Sequence, residues 1–320
     1  MRAPSIRELR AGLWATARAL AEALLVLVVL ATIAFLALRI LPGDPAALVL
    51  GDHASELERV ALREKLHLDE PMWLQYARFL RGLGTLDLGD SLRRPGVSAF
   101  ARVGEALVPT ATLAATSVGF GTLFGVSAAL LAVGPWLGAR RVWVERMLEG
   151  LAATPLLSFA PLLTYLLAVR FRVVPLPADP DAGAAGLLFA AGLLAVPLGA
   201  HVGRTTRAAL SRIRRAPFLA VAVAKGLSPI RVWGLHALPT VSGPVLTVVA
   251  TQLGALLGGA VVLERLFERP GLGLLVLEAY TTRDVPVLEA AIVAGGAMFV
   301  LAQGAATILH AAIDPRVSSS

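Results

Sequence analysis

Long apolar stretches alternate with short charged ones along this chain, and the alternation is the first thing its amino-acid sequence offers. Runs such as residues 19–40 and 242–263 are roughly 20 residues long, the length a helix needs to cross a ~30 Å hydrocarbon core at 1.5 Å per residue. The pattern predicts six spans, at residues 19–41, 109–133, 145–170, 184–203, 242–263 and 287–313. Pro155 and Pro161 in the third and Pro197 in the fourth predict kinks, which membrane helices tolerate because neighbours satisfy the freed backbone groups. Between the first two spans, Leu57, Val60, Ala61 and Leu66 fall at helical spacing among charges, so a short amphipathic helix is expected over 55–66 and another over 72–83.

Composition agrees with the pattern: of 320 residues, 57% are hydrophobic and 16% charged, where a soluble domain carries about a quarter charged. The fold class is therefore all-α, a polytopic membrane protein with six transmembrane helices. The first apolar run is too long for a signal core and lacks a small-residue cleavage site, so it is expected to stay as a span. Net charge is +7, but the basic residues cluster between apolar runs rather than in a stripe with interleaved aromatics, which argues against nucleic acid. Fifteen of the 29 Lys and Arg fall in the N-terminus (Arg2, Arg7, Arg10, Arg18), at Arg140, Arg141 and Arg146, at Arg204, Arg207, Arg212, Arg214, Arg215, Lys225 and Arg231, and at Arg316, whereas the segments 41–108, 171–183 and 264–286 mix acidic and basic residues. With six spans the basic segments share one side, which the positive-inside rule makes cytoplasmic, with both termini inside.

The chain has no cysteine, so disulfides and thiolate chemistry are excluded. Its five histidines show no i, i+4 pairing, and no metal site is expected. No Gly-x-x-x-x-Gly-Lys-Ser/Thr is present, so the chain builds no phosphate cradle of its own, and neither a cofactor nor a catalytic residue is expected. Ser117, Ser127 and Ser158 sit in apolar surroundings without a histidine or lysine at a defined spacing, which argues against an intramembrane protease. An ion-coupled or passive secondary transporter is the alternative. Such carriers bury a carboxylate near the bilayer midplane, and the ionisable groups noted in the spans, Glu22, Arg39, His201 and His310, lie near span ends. Small-residue spacings at Gly121 and Gly125 and at Gly254 and Gly258 suit close helix packing, expected within the subunit, although contact with a second subunit would use the same faces.

Local signals become specific in combination. Pro42-Gly43-Asp44-Pro45 stops the first span in a tight turn. Leu66-His67-Leu68-Asp69-Glu70-Pro71-Met72-Trp73 and Leu86-Asp87-Leu88-Gly89-Asp90-Ser91 follow, then Pro109-Thr110-Ala111-Thr112. Arg204-Thr205-Thr206-Arg207 leads into Ala222-Val223-Ala224-Lys225-Gly226-Leu227-Ser228 and His236-Ala237-Leu238. Glu264, Pro270-Gly271-Leu272-Gly273, Arg283-Asp284-Val285-Pro286 and Asp314-Pro315-Arg316 complete the series. In order and spacing this series resembles the permease subunits of the oligopeptide, dipeptide and nickel ATP-binding-cassette importers, over most of the chain.

The resemblance implies a type I importer permease fold. It implies a cytoplasmic N-terminus and first helix over 1–41, an outer loop over 42–108, a five-helix transport domain over 109–313 with a cytoplasmic coupling loop at 204–241, and a cytoplasmic tail over 314–320. It also implies partners: two ATP-binding-cassette ATPase subunits, a second related permease in a heterodimer, and an extracytoplasmic solute-binding protein delivering peptides, nickel or other small solutes. The setting would be a bacterial inner membrane. Phe218, Ala222, Lys225, Gly226, Leu227 and Ser228 are then the expected ATPase-coupling residues. On local chemistry alone, 216–224 is a short helix of small and apolar residues with Gly226 at a left-handed C-terminal cap, followed by a turn at Ser228-Pro229. The chain departs from the family pattern here. Pro217 stands where an acidic residue is expected, Ala220 and Val223 stand where arginines are, and Pro239 and Thr240 replace a basic residue and an asparagine.

Overall fold

The structure, a computed structural model, describes residues 6–40, 50, 55–176 and 179–313. Pro42, Gly43, Asp44, Pro45, His53, Asp314, Pro315 and Arg316 lie outside the described residues. Among those described there are helices and turns, with one isolated antiparallel bridge between Asp90 and Ser98. Five helical stretches are long and apolar enough to cross a membrane: Arg18–Leu36, Ala99–Val133, Gly183–Ile213, Arg231–Leu266 and Val285–Ala306. A further apolar pair, Gly138–Ala153 and Ser158–Arg170, is bent by 107° and makes a sixth only where its two helices count as one broken span rather than a re-entrant loop.

The bend has a local cause. Helix α5 (Arg141–Ala153) stops at Thr154, whose ψ of 121° is extended, as the residue before a proline tends to be. Helix α6 (Leu156–Thr164) begins after Pro155 and passes at Tyr165–Arg170 into a wider π turn downstream of Pro161. Helix α4 (Ala99–Val133) starts ten residues before the expected span start at Pro109. The Ser98 hydroxyl accepts from the Ala101 N–H at 3.1 Å and caps the helix there, so Pro109 ends up inside it. Both expected amphipathic helices are present, as α2 (Glu56–Lys65) and α3 (Met72–Thr85).

The chain divides into two compact units. Unit one comprises Met1–Leu107 and Leu275–Val300. Here α1 (Ile6–Ile40), α3 and the first part of α11 (Val285–Ile313) share an apolar cluster of Ala31, Phe35 and Phe79 with Tyr76, Leu80 and Val293 against it. Phe35 meets Tyr76 edge-on at 5.1 Å, and the Tyr76 hydroxyl lies 2.7 Å from the hydroxyl of Thr32.

Unit two comprises Val108–Leu274 and Leu301–Ser320. In it α4 crosses α7 (Gly183–Ile213) at close range. Gly121 and Gly125 of α4 meet Gly199 and Gly203 of α7 so closely that a Cβ on Gly125 would collide with the Gly199 carbonyl. This small-residue face packs inside the subunit, as expected. On α9 (Ser242–Leu266), Gly254 and Gly258 remain exposed. At one end of α7, Arg207 reaches Glu145 at 3.3 Å and Glu149 at 3.7 Å, two residues a helical turn apart on α5.

Candidate functional site

The connection between α7 and α9 is built as its residues dictate. Helix α8 (Pro217–Ala224) opens with Pro217, whose fixed φ suits the first turn and whose missing N–H would have had no helical partner. It closes at Gly226, with φ +75°. The Leu227 N–H donates to the Ala222 carbonyl at 3.3 Å and the Gly226 N–H to Val223 at 2.9 Å, the paired bonds of a left-handed helix stop. Past the turn, Val232 donates to the Ser228 carbonyl, and Arg231–Ala237 winds as a π segment. There the His236 Nδ1–H donates to the Arg231 carbonyl at 3.0 Å.

Helix α8 is fastened on one side and bare on the other. Leu219 and Ala222 are buried in a cluster with Ala129, Val133, Leu210 and Trp233. Phe218 is 42% exposed, Val221 53% and Val223 62%, and Ile230 and Leu235 in the segment that follows are exposed as well. Of the residues expected to couple, Phe218, Lys225, Gly226 and Ser228 are exposed, Leu227 is half-buried, and Ala222 points into the subunit's own core. Arg204 is exposed on α7, and Arg212, Arg214 and Arg215 are exposed just before α8. Electrostatically this is a basic margin around an apolar helix face.

The remaining motif residues come together as two buried polar ties. In unit two, Thr110 donates to Glu264 Oε1 at 2.6 Å and accepts the Leu272 N–H at 2.7 Å. Glu264 Oε2 accepts from Gly273 at 2.7 Å and Leu274 at 3.2 Å. Three of the four unpaired N–H groups at the start of α10 (Leu272–Thr281) are thus satisfied by side chains from two other helices. A carboxylate at that end also meets the positive pole of the helix. Gly271 and Gly273 are required by proximity: a Cβ on Gly271 would strike the Glu264 carboxylate, and one on Gly273 would strike Val261.

In unit one, buried Ser91 and Asp284 share a short hydrogen bond, and Asp284 also accepts the Leu92 N–H at 3.1 Å. The backbone turns sharply at Arg283, φ +56°, to present Asp284 there, and Arg93 donates to the Thr282 carbonyl at 3.0 Å. A second tie in unit one was not anticipated. Arg39 donates to Glu289 at 2.8 Å, to Gln75 at 3.1 Å and to the Phe35 carbonyl at 3.1 Å, and lies over the Phe35 ring. Glu264 and Glu289 are thus buried carboxylates within apolar helices, in addition to the span charges expected from the sequence. Each sits near a span end and is met by an internal partner, so neither has the arrangement of a free carrier carboxylate. Among the described residues no group of three His, Cys, Asp or Glu could hold a metal.

Residues 109–319 match the family model described as binding-protein-dependent transport system inner membrane component, and residues 14–94 match the N-terminal model of the same systems. Among curated proteins, the glutathione transport system permease protein GsiC of Escherichia coli is 31% identical over 296 residues, 91% of this chain and 94% of that one. The probable peptide ABC transporter permease protein y4tP of Sinorhizobium fredii is 29% identical over 310 residues, 94% of this chain and 97% of that one.

Proposed function

This chain belongs to the inner-membrane components of binding-protein-dependent transport systems, the permease subunits of ABC importers, and on that premise we propose that it carries short peptides across a bacterial inner membrane under the push of separate ATPase subunits. The permease performs no chemistry; it supplies a path and a lever. The single observation that carries the coupling assignment is α8, held to its own subunit by Leu219 and Ala222 while Phe218, Val221 and Val223 are left exposed. An exposed apolar helix face is costly in water and fits a groove on a soluble partner.

Two ATPase subunits, a second related permease and a solute-binding protein on the opposite side complete the proposed assembly. The exposed arginines beside α8 support a cytoplasmic position for it and for both termini. Because Ala220 and Val223 replace expected arginines, the contact with the ATPase is apolar where relatives of the family pattern would use charge. The permeases of glutathione and peptide systems among the relatives support a peptide as cargo rather than nickel.

Affinity purification from mild detergent tests the reading. Wild type brings down ATPase subunits and a second permease, whereas Phe218→Glu and Val221→Glu lose the ATPases and keep the permease, since both side chains lie outside the core. Full ATPase recovery with both variants, together with unchanged uptake, removes α8 as the coupling site.

A further inference from the structure

Unit one contains a cleft of about 700 Å³ that the transport reading leaves unused. Its wall includes Arg39, Gln75, Arg78 and Arg81, with Asp87 just past α3 and Glu289 on α11. Most of these charges are already matched. Arg39 meets Glu289 at 2.8 Å, and Arg78 holds Glu70 through Nε and Nη2 at 2.9 Å each. Two are not: among the described residues Arg81 has no carboxylate partner, and Asp87 has no cation, one oxygen of its carboxylate accepting the Gly89 N–H at 3.0 Å. Nη2 of Arg39 and Nη1 of Arg78 are likewise without partners among the described residues.

The cleft therefore offers guanidinium N–H groups and one uncompensated carboxylate within a volume typical of small-molecule sites. An anion alone would leave Asp87 facing it, and a cation alone would leave Arg81 facing it. We infer that this cleft binds a zwitterionic group, its oxyanion on Arg81 with the spare N–H groups of Arg39 and Arg78, and its primary ammonium on Asp87. Guanidinium and carboxylate hydrogen bonds to charged ligands are the strong ones and favour this pairing.

Two sources carry that chemistry. One is the pair of termini of a short peptide, which rests on the peptide-transport reading. The other is the head group of phosphatidylethanolamine, because Arg39 follows the apolar stretch of α1 by three residues and Val285, also on the cleft wall, begins that of α11.

The test uses the full chain in nanodiscs, with copurifying subunits retained, titrated with trialanine, its C-terminal amide and its N-acetyl form. Arg81 and Asp87 are exposed, so Arg81→Gln and Asp87→Asn are expected to keep the wild-type melting temperature. For a peptide source, trialanine binds, capping either end weakens it about tenfold or more, and both variants lose the same factor. For a lipid source, trialanine does not bind, but replacing phosphatidylcholine by phosphatidylethanolamine raises the melting temperature of wild type and not of the variants. Equal binding of capped and free peptide, or no peptide binding with no lipid-dependent shift, overturns the site. The readout needs neither ATP nor α8, so it fails independently of the Phe218→Glu experiment.

Discussion

Thr110 and Glu264 lie 154 residues apart in the chain and share a 2.6 Å hydrogen bond whose other ends are the backbone N–H groups that start α10. Each side chain bonds both its partner and the helix. Removing either therefore strands more than one buried polar group.

Glu264→Ala is expected to destabilise the chain by roughly 2–4 kcal/mol, since the Gly273 and Leu274 N–H groups and the Thr110 hydroxyl lose their partner together. Glu264→Gln keeps an acceptor and costs less. Thermal unfolding in detergent orders the three proteins. An alanine variant as stable as wild type would show that the tie contributes nothing.

The Arg39–Glu289 pair has side chains only 18% and 7% exposed. Removing one partner leaves a buried charge uncompensated, at a cost of about 3–5 kcal/mol, whereas Arg39→Met with Glu289→Leu is expected to lie closer to wild type than either single variant. A double-mutant cycle on melting temperature measures this. Additive losses would rule out direct coupling between the two.

At Gly226, φ is +75° and the N–H is committed to the Val223 carbonyl. Alanine there costs about 1–2 kcal/mol of left-handed strain, while proline both forbids the angle and removes the donor. Gly226→Pro is expected to separate ATP hydrolysis from uptake, with membrane insertion preserved. Reconstituted vesicles report both rates at once, and an uptake rate per ATP equal to wild type would contradict the assignment.

Glu58 accepts from the backbone N–H and the hydroxyl of Ser55 at the start of α2, and these bonds hold its carboxyl below the ordinary glutamate range. A lowered folded value means that the contribution to α2 is fully present above the ordinary glutamate pKa and is lost as pH falls through the lower, folded one. Amide exchange across residues 58–65 should therefore speed up on acidification beyond the intrinsic rate, and Ser55→Ala should flatten that response. Identical pH profiles for the two proteins would remove the capping box as its cause.

The apolar periodicity made the helices legible, because long uncharged runs have few alternatives once a membrane is the solvent. The short helix expected over 216–224 and its stop at Gly226 are present as α8, since small apolar residues ended by a glycine cap are a local signal. The periodicity misjudged the start of α4, where a lone Ser98 hydroxyl outweighed the proline signal at Pro109. The turns at His67, Leu86, Glu268 and Arg283 adopt positive φ without glycine, and composition gave no hint of them. Pairings such as Thr110 with Glu264 and Ser91 with Asp284 were visible only as separate motifs. A residue's partner in another helix depends on helix rotation, which hydrophobicity alone does not specify. Glu289 stood within the expected sixth span and was legible there as a charge; its pairing was not, because its cation sits 250 positions upstream.

The tie at Thr110 also imposes a schedule on biosynthesis. Its hydroxyl leaves the ribosome 162 residues before the Leu272 N–H it will accept, an interval of roughly 8–30 s at 5–20 residues per second. Throughout that time α4 must sit in the bilayer with a polar group awaiting its partners, and a nascent chain released early never acquires them. Synthesis past Leu274 is thus what lets this part of the molecule close, and membrane quality-control proteases would meet every copy terminated before that point with its polar seam still open.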